Sequence, residues 1–195
     1  MSKHRIFISY SHKDTDWKDR LVTHLGVLQQ QEQLEFWTDD EIRIGDAWFK
    51  KIQDAMNAAS VAIFLVSANS LTSSFILREE IKRLLERRDR EGLAIFPVLL
   101  RPCAWRRVEW LAQMQLRPRG GTPLSAGTEH QIDDHLTAIV EEIANVLDKM
   151  VPVSAPAQGL AVSAVGTVSS RNHHLSNLHQ TPNHPNHPNH PNLLA

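Results

Sequence analysis

The sequence predicts an α/β protein in three layers, a parallel sheet with helices on both faces, followed by a structureless tail. Three observations carry this. Short apolar runs at 5–10, 34–37, 61–66 and 93–100 alternate with stretches whose apolar residues recur at helical spacing. The run Val61–Val66 is apolar without alternation, the mark of a strand buried on both faces. After residue 150 the composition changes. The segment 151–195 has one basic residue, Arg171, no acid, and a repeated His-Pro-Asn unit. Its prolines forbid helix, and it lacks the apolar surface to offset its ordering entropy. The expected organisation is one domain over 1–150 and a linker with a disordered tail over 151–195.

Bulk properties narrow the function. The chain has 195 residues, 42% of them hydrophobic, enough for one core of ordinary size. A formal net charge of -1 gives no general argument for a nucleic-acid or membrane partner. No apolar run approaches the roughly 20 residues needed to span a bilayer. The N-terminus is too polar for a secretory signal. The single cysteine, Cys103, cannot form an internal disulfide. A cytoplasmic location is the expectation.

The elements follow in order. Arg5–Tyr10 is β-prone, and Ser11–Asp14 breaks it. Asp14 is placed to cap a helix in which Trp17, Leu21, Leu25 and Leu28 share a face. Leu34–Trp37 reads as the second strand. A polar loop, 38–45, ends at Gly45, and Asp46 is placed to cap the next helix. There Trp48, Ile52, Ala55, Met56 and Ala59 form one apolar face. Ser67 opens a serine-rich turn after the third strand, and a helix carrying Glu79 and Glu80 follows. Leu93–Leu100 is the fourth strand, with Pro97 arguing against a central position. The stretch 101–111 is an irregular loop, and 112–128 has no period, so it is loop or a short edge strand. His130–Lys149 is a helix burying Ile132, Leu136, Ile139, Val140, Ile143 and Leu147.

In parallel α/β sheets the ligand crevice lies beyond the carboxyl ends of the strands. Here those segments are 9–12, 38–45, 67–74 and 101–105. No glycine-rich dinucleotide turn and no phosphate-binding P-loop is present. A phospho-receiver would need acids after the first strand and an aspartate after the third, where this chain has Ser9–Ser11 and Ser67–Asn69. Asp39 and Asp40 could be paired carboxylates, although two acids opening a loop commonly form turns. His12 sits at a strand end, where a base or a solvated loop histidine would both fit. Trp105 could stack on a flat ring or fill the gap between loop and core. Cys103 has no adjacent histidine to make it a nucleophile. The tail histidines His184, His187 and His190 are spaced in a chain with no preformed geometry, so no metal site is expected.

The two glutamates differ in helical phase. At about 100° per residue, Leu77, Ile81, Leu84 and Leu85 form one stripe. Glu79 then points to solvent, and Glu80 lies on the flank beside Ile76 and Arg83. A flank carboxylate can look into a crevice, or can simply pair with an arginine for about 0.2–0.5 kcal/mol.

Four blocks of the sequence resemble TIR (Toll/interleukin-1 receptor) domains of bacterial type, in the right order. KHRIFISYSHKD resembles the first strand and loop. FWTDDEIRIGDAWFKKIQDAM resembles the second strand and the so-called BB loop, which closes at a glycine. VAIFLVSANSLTSSFILREEIKRLL resembles the third strand and glutamate helix, and IFPVLLRPCAW the next strand and loop. The resemblance covers roughly 3–148 and implies a flavodoxin-like fold, self-association, and in many members cleavage of NAD+ at the nicotinamide–ribose bond. Bacterial members often serve in defence against phage. The family's catalytic glutamate precedes an aliphatic residue on the helix after the third strand. Glu80, followed by Ile81, matches it, with Glu79 as the alternative. Phe75 matches the aromatic four or five residues earlier, in place of a more usual tryptophan. The resemblance also places Ser9 or Ser11, Asp39 or Arg43, Ser67 and Trp105 in the pocket. NAD+ would be substrate and not cofactor, no metal is implied, and the BB loop of a neighbouring subunit often completes such sites.

Two function classes follow from the resemblance. One is an NAD+ glycohydrolase or cyclase acting in immune or stress signalling. The other is a TIR–TIR interaction module without turnover, an adaptor or a factor that interferes with host TIR signalling.

Overall fold

The computed structural model describes residues 3–32, 34–38 and 48–150. Strand β1 (His4–Ser9) leads through a short 3-10 turn (His12–Asp14) into α1 (Thr15–Gln30), β2 (Leu34–Trp37) and α2 (Trp48–Ala58). Then come β3 (Val61–Val66), the short α3 (Ala68–Thr72), a π-helical turn (Ile76–Ile81) running into α4 (Lys82–Glu91), and β4 (Ala94–Leu99). Short turns and α5 (Glu109–Ala112) precede the last helix, α6 (Glu129–Leu147). The expected strands and long helices are present within one or two residues. The stretch 101–111, expected as irregular loop, contains a 3-10 turn at Trp105–Arg107 and α5. The expected cap at Asp46 and the expected tail over 151–195 lie outside the described residues.

The sheet is parallel throughout, in the order β2-β1-β3-β4. This matches the first four positions of the flavodoxin-like order, whose switch point lies between β1 and β3. Alternation along the strands sorts the core into two layers. Ile6, Ile8, Val61, Ile63, Leu65 and Val98 face α1 and α6, which supply Leu21, Leu25, Leu136 and Ile143 among others. Phe7 and Ala62 face α2 through Ile52 and Met56, while Phe64, Val66 and Leu99 face Ile76 and Ile81. The result is the expected three-layer, flavodoxin-like α/β fold.

Pro97 illustrates why β4 lies at the sheet edge among the described strands. N–H and C=O of one strand residue point to the same side. The Pro97 carbonyl accepts from Arg117 N–H at 2.8 Å, on the side away from β3. The missing N–H therefore falls on the outer edge and removes no bond to β3. Leu99 N–H donates to the Arg117 carbonyl at 2.7 Å, forming an isolated parallel bridge there. This bridge is what becomes of the possible edge strand in 112–128.

Local chemistry closes the elements. Gly92 ends α4 at a φ of 75°, in the left-handed region, with its N–H on the Arg88 carbonyl. Thr128 and Gln131 form a capping box at α6. Arg87 Nη1 donates to the carbonyls of Met56 (2.5 Å) and Ala59 (2.9 Å), so α4 satisfies the end of α2. Among the described residues no helix is long and apolar enough to cross a membrane.

Candidate functional site

Ser9 is the last residue of β1 and shares the phase of Phe7, so it projects toward the α2/α4 layer at the carboxyl end of the sheet. Its register partner on β3 is Phe64. Directly over it comes Glu80. Ser9 Oγ donates to Glu80 Oε2 at 2.5 Å, the length of a charge-assisted O–H···O⁻ bond. Ser9 is 1% exposed and Glu80 7%. Glu79 is exposed. Arg83, beside Glu80 in helical phase, donates to Asn57 Oδ1 at 2.9 Å. The separation read from helical phase therefore holds, with Glu80 turned inward and Glu79 outward.

The backbone does this differently from a regular helix. Residues Ile76–Ile81 form a π turn, with i→i+5 bonds, before α4 begins. Leu77 belongs to the stripe drawn at α-helical spacing but is only half-buried, while Ile76, Glu80 and Ile81 are buried. The wider turn stacks Ile76 over Ile81 on the core and carries Glu80 inward beside them. Single π turns within helices are frequently found at functional sites.

A second buried carboxylate lies beneath the turn after β3. Asp14, expected as a helix cap, occupies the N-cap position of α1 but makes no side-chain capping bond. It accepts from Ser67 Oγ at 2.5 Å and from Asn69 Nδ2 at 3.0 Å, and is 1% exposed. The correction has a physical reason. The carboxylate gains two side-chain donors across the sheet end, which a cap on one backbone N–H would not supply. Ser67 Oγ also accepts from Ser70 N–H at 3.1 Å, in a capping box that starts α3. Its hydroxyl is thus engaged on both sides inside the fold. Ser11 accepts from Lys13 N–H at 3.4 Å as the cap of the first 3-10 turn and is half-buried.

The aromatics divide into two places. Phe75 is half-buried and meets Trp48 at 5.1 Å and Phe49 at 6.4 Å between ring centroids. Trp48 was expected on the buried face of α2. It is instead 50% exposed, with its ring against Phe75 and Phe49 and not in the core that holds Ile52 and Met56. Trp105 carries Arg106 over its ring at 4.4 Å. It lines a cavity of about 340 Å³ with Arg106, Leu116, Arg119 and Gly121. Ser9, Ser67, Phe75 and Glu80 are not among that cavity's lining residues. Asp39 and Arg43 lie outside the described residues.

His12 is exposed and packs against Tyr10 at 5.7 Å. Burial pushes the Cys103 thiol above its ordinary range, and the Asp14 carboxylate adds to this against one backbone hydrogen bond. That environment suits an inert thiol. No group of three His, Cys, Asp or Glu residues that could hold a metal occurs among the described residues. Of the candidate residues, the structure brings Ser9 and Glu80 into direct contact. The sequence reading did not anticipate Asp14 and Asn69 tying the strand ends together, nor Trp48 and Phe49 joining Phe75. The adjacent Trp-Phe at a helix start was the available signal for the second.

A family model described as TIR domain matches residues 6–136, more than half of the chain. An uncharacterized protein, y4lF, from Sinorhizobium fredii (strain NBRC 101917 / NGR234) is 27% identical over 165 residues. That alignment covers 84% of this chain and 50% of the relative, so the chain spans about half the length of the curated relative it matches. Among solved structures, the RPS4 and RRS1 TIR domain heterodimer is similar at 17% identity and a TM-score of 0.47, covering 75% of this chain and 99% of that one. The TIR domains of the activated Roq1 resistosome recognizing the effector XopQ are similar at 19% identity and a TM-score of 0.44, covering 71% and 84%. The TIR domain of the Toll-related receptor TRR-2 from Hydra magnipapillata is similar at 18% identity and 0.37, covering 50% and 71%. The match over 6–136 settles the family, and the chain belongs to the TIR domain family.

Proposed function

We propose that the protein cleaves NAD+ at the nicotinamide–ribose bond, releasing nicotinamide with ADP-ribose or a cyclic isomer. One observation supports this most. A carboxylate, Glu80, is held by the Ser9 hydroxyl at the carboxyl end of β1, beside the switch point where such sheets bind ligands.

The chemistry needs only that carboxylate. The pyridinium of NAD+ is already cationic. As the C1′–N bond breaks, its electron pair passes to the ring and nicotinamide leaves neutral, so no acid is required. Positive charge develops on the ribose as an oxocarbenium. A fixed carboxylate facing the sugar stabilises that charge and can hold the ribose hydroxyls. Water then bonds to C1′ and its proton passes to solvent or to Glu80, giving ADP-ribose. A nucleophilic atom of the same ADP-ribosyl unit, attacking instead, gives the cyclic product. In immune or stress signalling this would deplete NAD+ or produce a nucleotide signal.

A second reading draws on Trp48 and Phe49, since adjoining exposed rings can mark a contact surface. In it the protein is a TIR–TIR interaction module without turnover. The test is incubation of concentrated protein with NAD+ and chromatography of the products. Wild type releases nicotinamide and Glu80→Ala does not. Equal release by Glu80→Ala would overturn the site. No release at any concentration, including protein crowded on beads, would leave the interaction module.

A further inference from the structure

One stretch carries positive charge out of proportion to the rest. The whole chain has a formal net charge of -1, yet residues 101–121 hold five arginines (Arg101, Arg106, Arg107, Arg117 and Arg119) and one acid, Glu109. Two of the five share a single carboxylate. Arg117 Nε donates to Glu142 Oε2 at 2.5 Å, and Arg119 Nη2 to Glu142 Oε1 at 3.1 Å. Arg106 makes no ion pair among the described residues, and its guanidinium lies over the Trp105 ring at 4.4 Å.

These groups meet at the cavity of about 340 Å³ described above, a volume within the range of small-molecule sites. Trp105 and Leu116 supply its apolar wall. Both pack on the cluster of Phe64 and Leu99, which holds that wall from behind. Gln115 adds an amide, and Arg106 and Arg119 add two guanidiniums. Gly121 closes the cavity with bare backbone. A Cβ there would stand 3.3 Å from Trp105 Cζ2 and 3.4 Å from Arg106 Nη2, so a side chain would press on both. The cavity lies apart from Glu80. Its residues 115–121 flank Arg117, which bonds to the outer edge of β4, and β3 and β4 intervene before β1. At about 4.8 Å per strand, three spacings put Arg117 roughly 14 Å across the sheet from the strand that carries Ser9.

We infer that this cavity is a second ligand site, separate from Glu80, and that it takes a nucleoside monophosphate. The base lies against Trp105 and Leu116, where the Gln115 amide can pair with its edge. The phosphate meets Arg106 and Arg119, whose planar forks match its oxygens. A dianion suits two guanidiniums better than one carboxylate does, and a bare phosphate leaves the apolar wall unused. Arg106 is the stronger partner, since Glu142 already draws on Arg119. Binding here requires neither Glu80 nor cleavage of NAD+.

The full chain is titrated with adenosine monophosphate, following the indole N–H resonances. Wild type shows saturable binding that moves the Trp105 resonance, identified by its loss in Trp105→Leu. Arg106 is exposed, so Arg106→Gln melts as wild type does. That variant binds the nucleotide about tenfold more weakly, and Arg119→Gln loses less. Trp105→Phe, which keeps a ring, binds more tightly than Trp105→Leu. Ribose 5-phosphate and adenosine each bind at least about tenfold more weakly than the nucleotide, because each lacks one half of the contacts. Glu80→Gln, checked by its melting transition, binds the nucleotide as wild type does. No saturable binding, or equal binding by wild type and Arg106→Gln, overturns the site. Equal affinity for inorganic phosphate or ribose 5-phosphate would mean an adventitious ion only and overturns the nucleoside assignment. Loss of binding in a folded Glu80→Gln would make the cavity part of the glutamate's pocket and overturns the separation.

Discussion

The Ser9–Glu80 bond can be measured as a coupling energy. Ser9→Ala removes one oxygen and keeps the Cβ, so packing at the end of β1 is nearly unchanged. The bond is 2.5 Å long, and its partners are 1% and 7% exposed, so water cannot replace the lost hydroxyl. Hydrogen bonds to charged groups of this kind contribute about 1.5–3 kcal/mol. Urea denaturation followed by tryptophan fluorescence should show that loss, with the denaturant slope unchanged. In a Glu80→Ala background the hydroxyl has already lost its acceptor, and Ser9→Ala should cost close to nothing. Contacts that Glu80 makes elsewhere cancel in the cycle. The two substitutions should therefore couple by about 1–3 kcal/mol. Additivity to within about 0.5 kcal/mol would refute the bond as the means by which the carboxylate is held. In the turnover assay, Ser9→Ala should retain measurable nicotinamide release, whereas Glu80→Ala should lower it by at least about a hundredfold.

Three further outcomes are expected. Asp14→Ala leaves the Ser67 hydroxyl without its acceptor at a buried site and should destabilise by about 1–3 kcal/mol in the same denaturation assay, with Asp14→Asn intermediate because it can still accept from Asn69. Burial raises the Cys103 pKa, so the neutral thiol persists to higher pH than in a free cysteine. Iodoacetamide labelling at pH 8 should be slower than for a cysteine peptide and should rise only above the ordinary thiol range; labelling as fast as the peptide would contradict the partly buried setting. Deleting 151–195 should leave the melting transition of the remainder unchanged by calorimetry, since that composition offers little apolar surface to bury.

Much of the architecture was legible because each signal was local. An apolar run without alternation marks β3 as a strand buried on both faces, and it is buried at all six positions. The spacing of Trp17, Leu21, Leu25 and Leu28 marks a helix face, and that face packs on the sheet. Pro97 points to an edge because an edge needs no donor on its outer side. Glu80 could be separated from Glu79 because helical phase is a property of sequence spacing.

The rest depended on what the tertiary structure places beside each residue. Spacing alone counted Leu77 into the stripe and left Ile76 outside it. The fold inserts a π turn there, and that turn buries Ile76, Glu80 and Ile81 together. No sequence period announces one widened turn, since the contacts that hold it, such as the Ser9–Glu80 bond, come from residues distant in sequence. Asp14 reads as a cap because caps are local, yet its partners, Ser67 and Asn69, come from the end of another strand. Trp48 fits the period of α2 and still lies outside the core, where it packs on Phe75 and Phe49. By itself, then, the sequence determined the strands, the helix faces and which glutamate turns inward. Only the folded chain decided what meets that glutamate, because a hydrogen bond across 71 residues exists only once β1 and the glutamate helix are packed together.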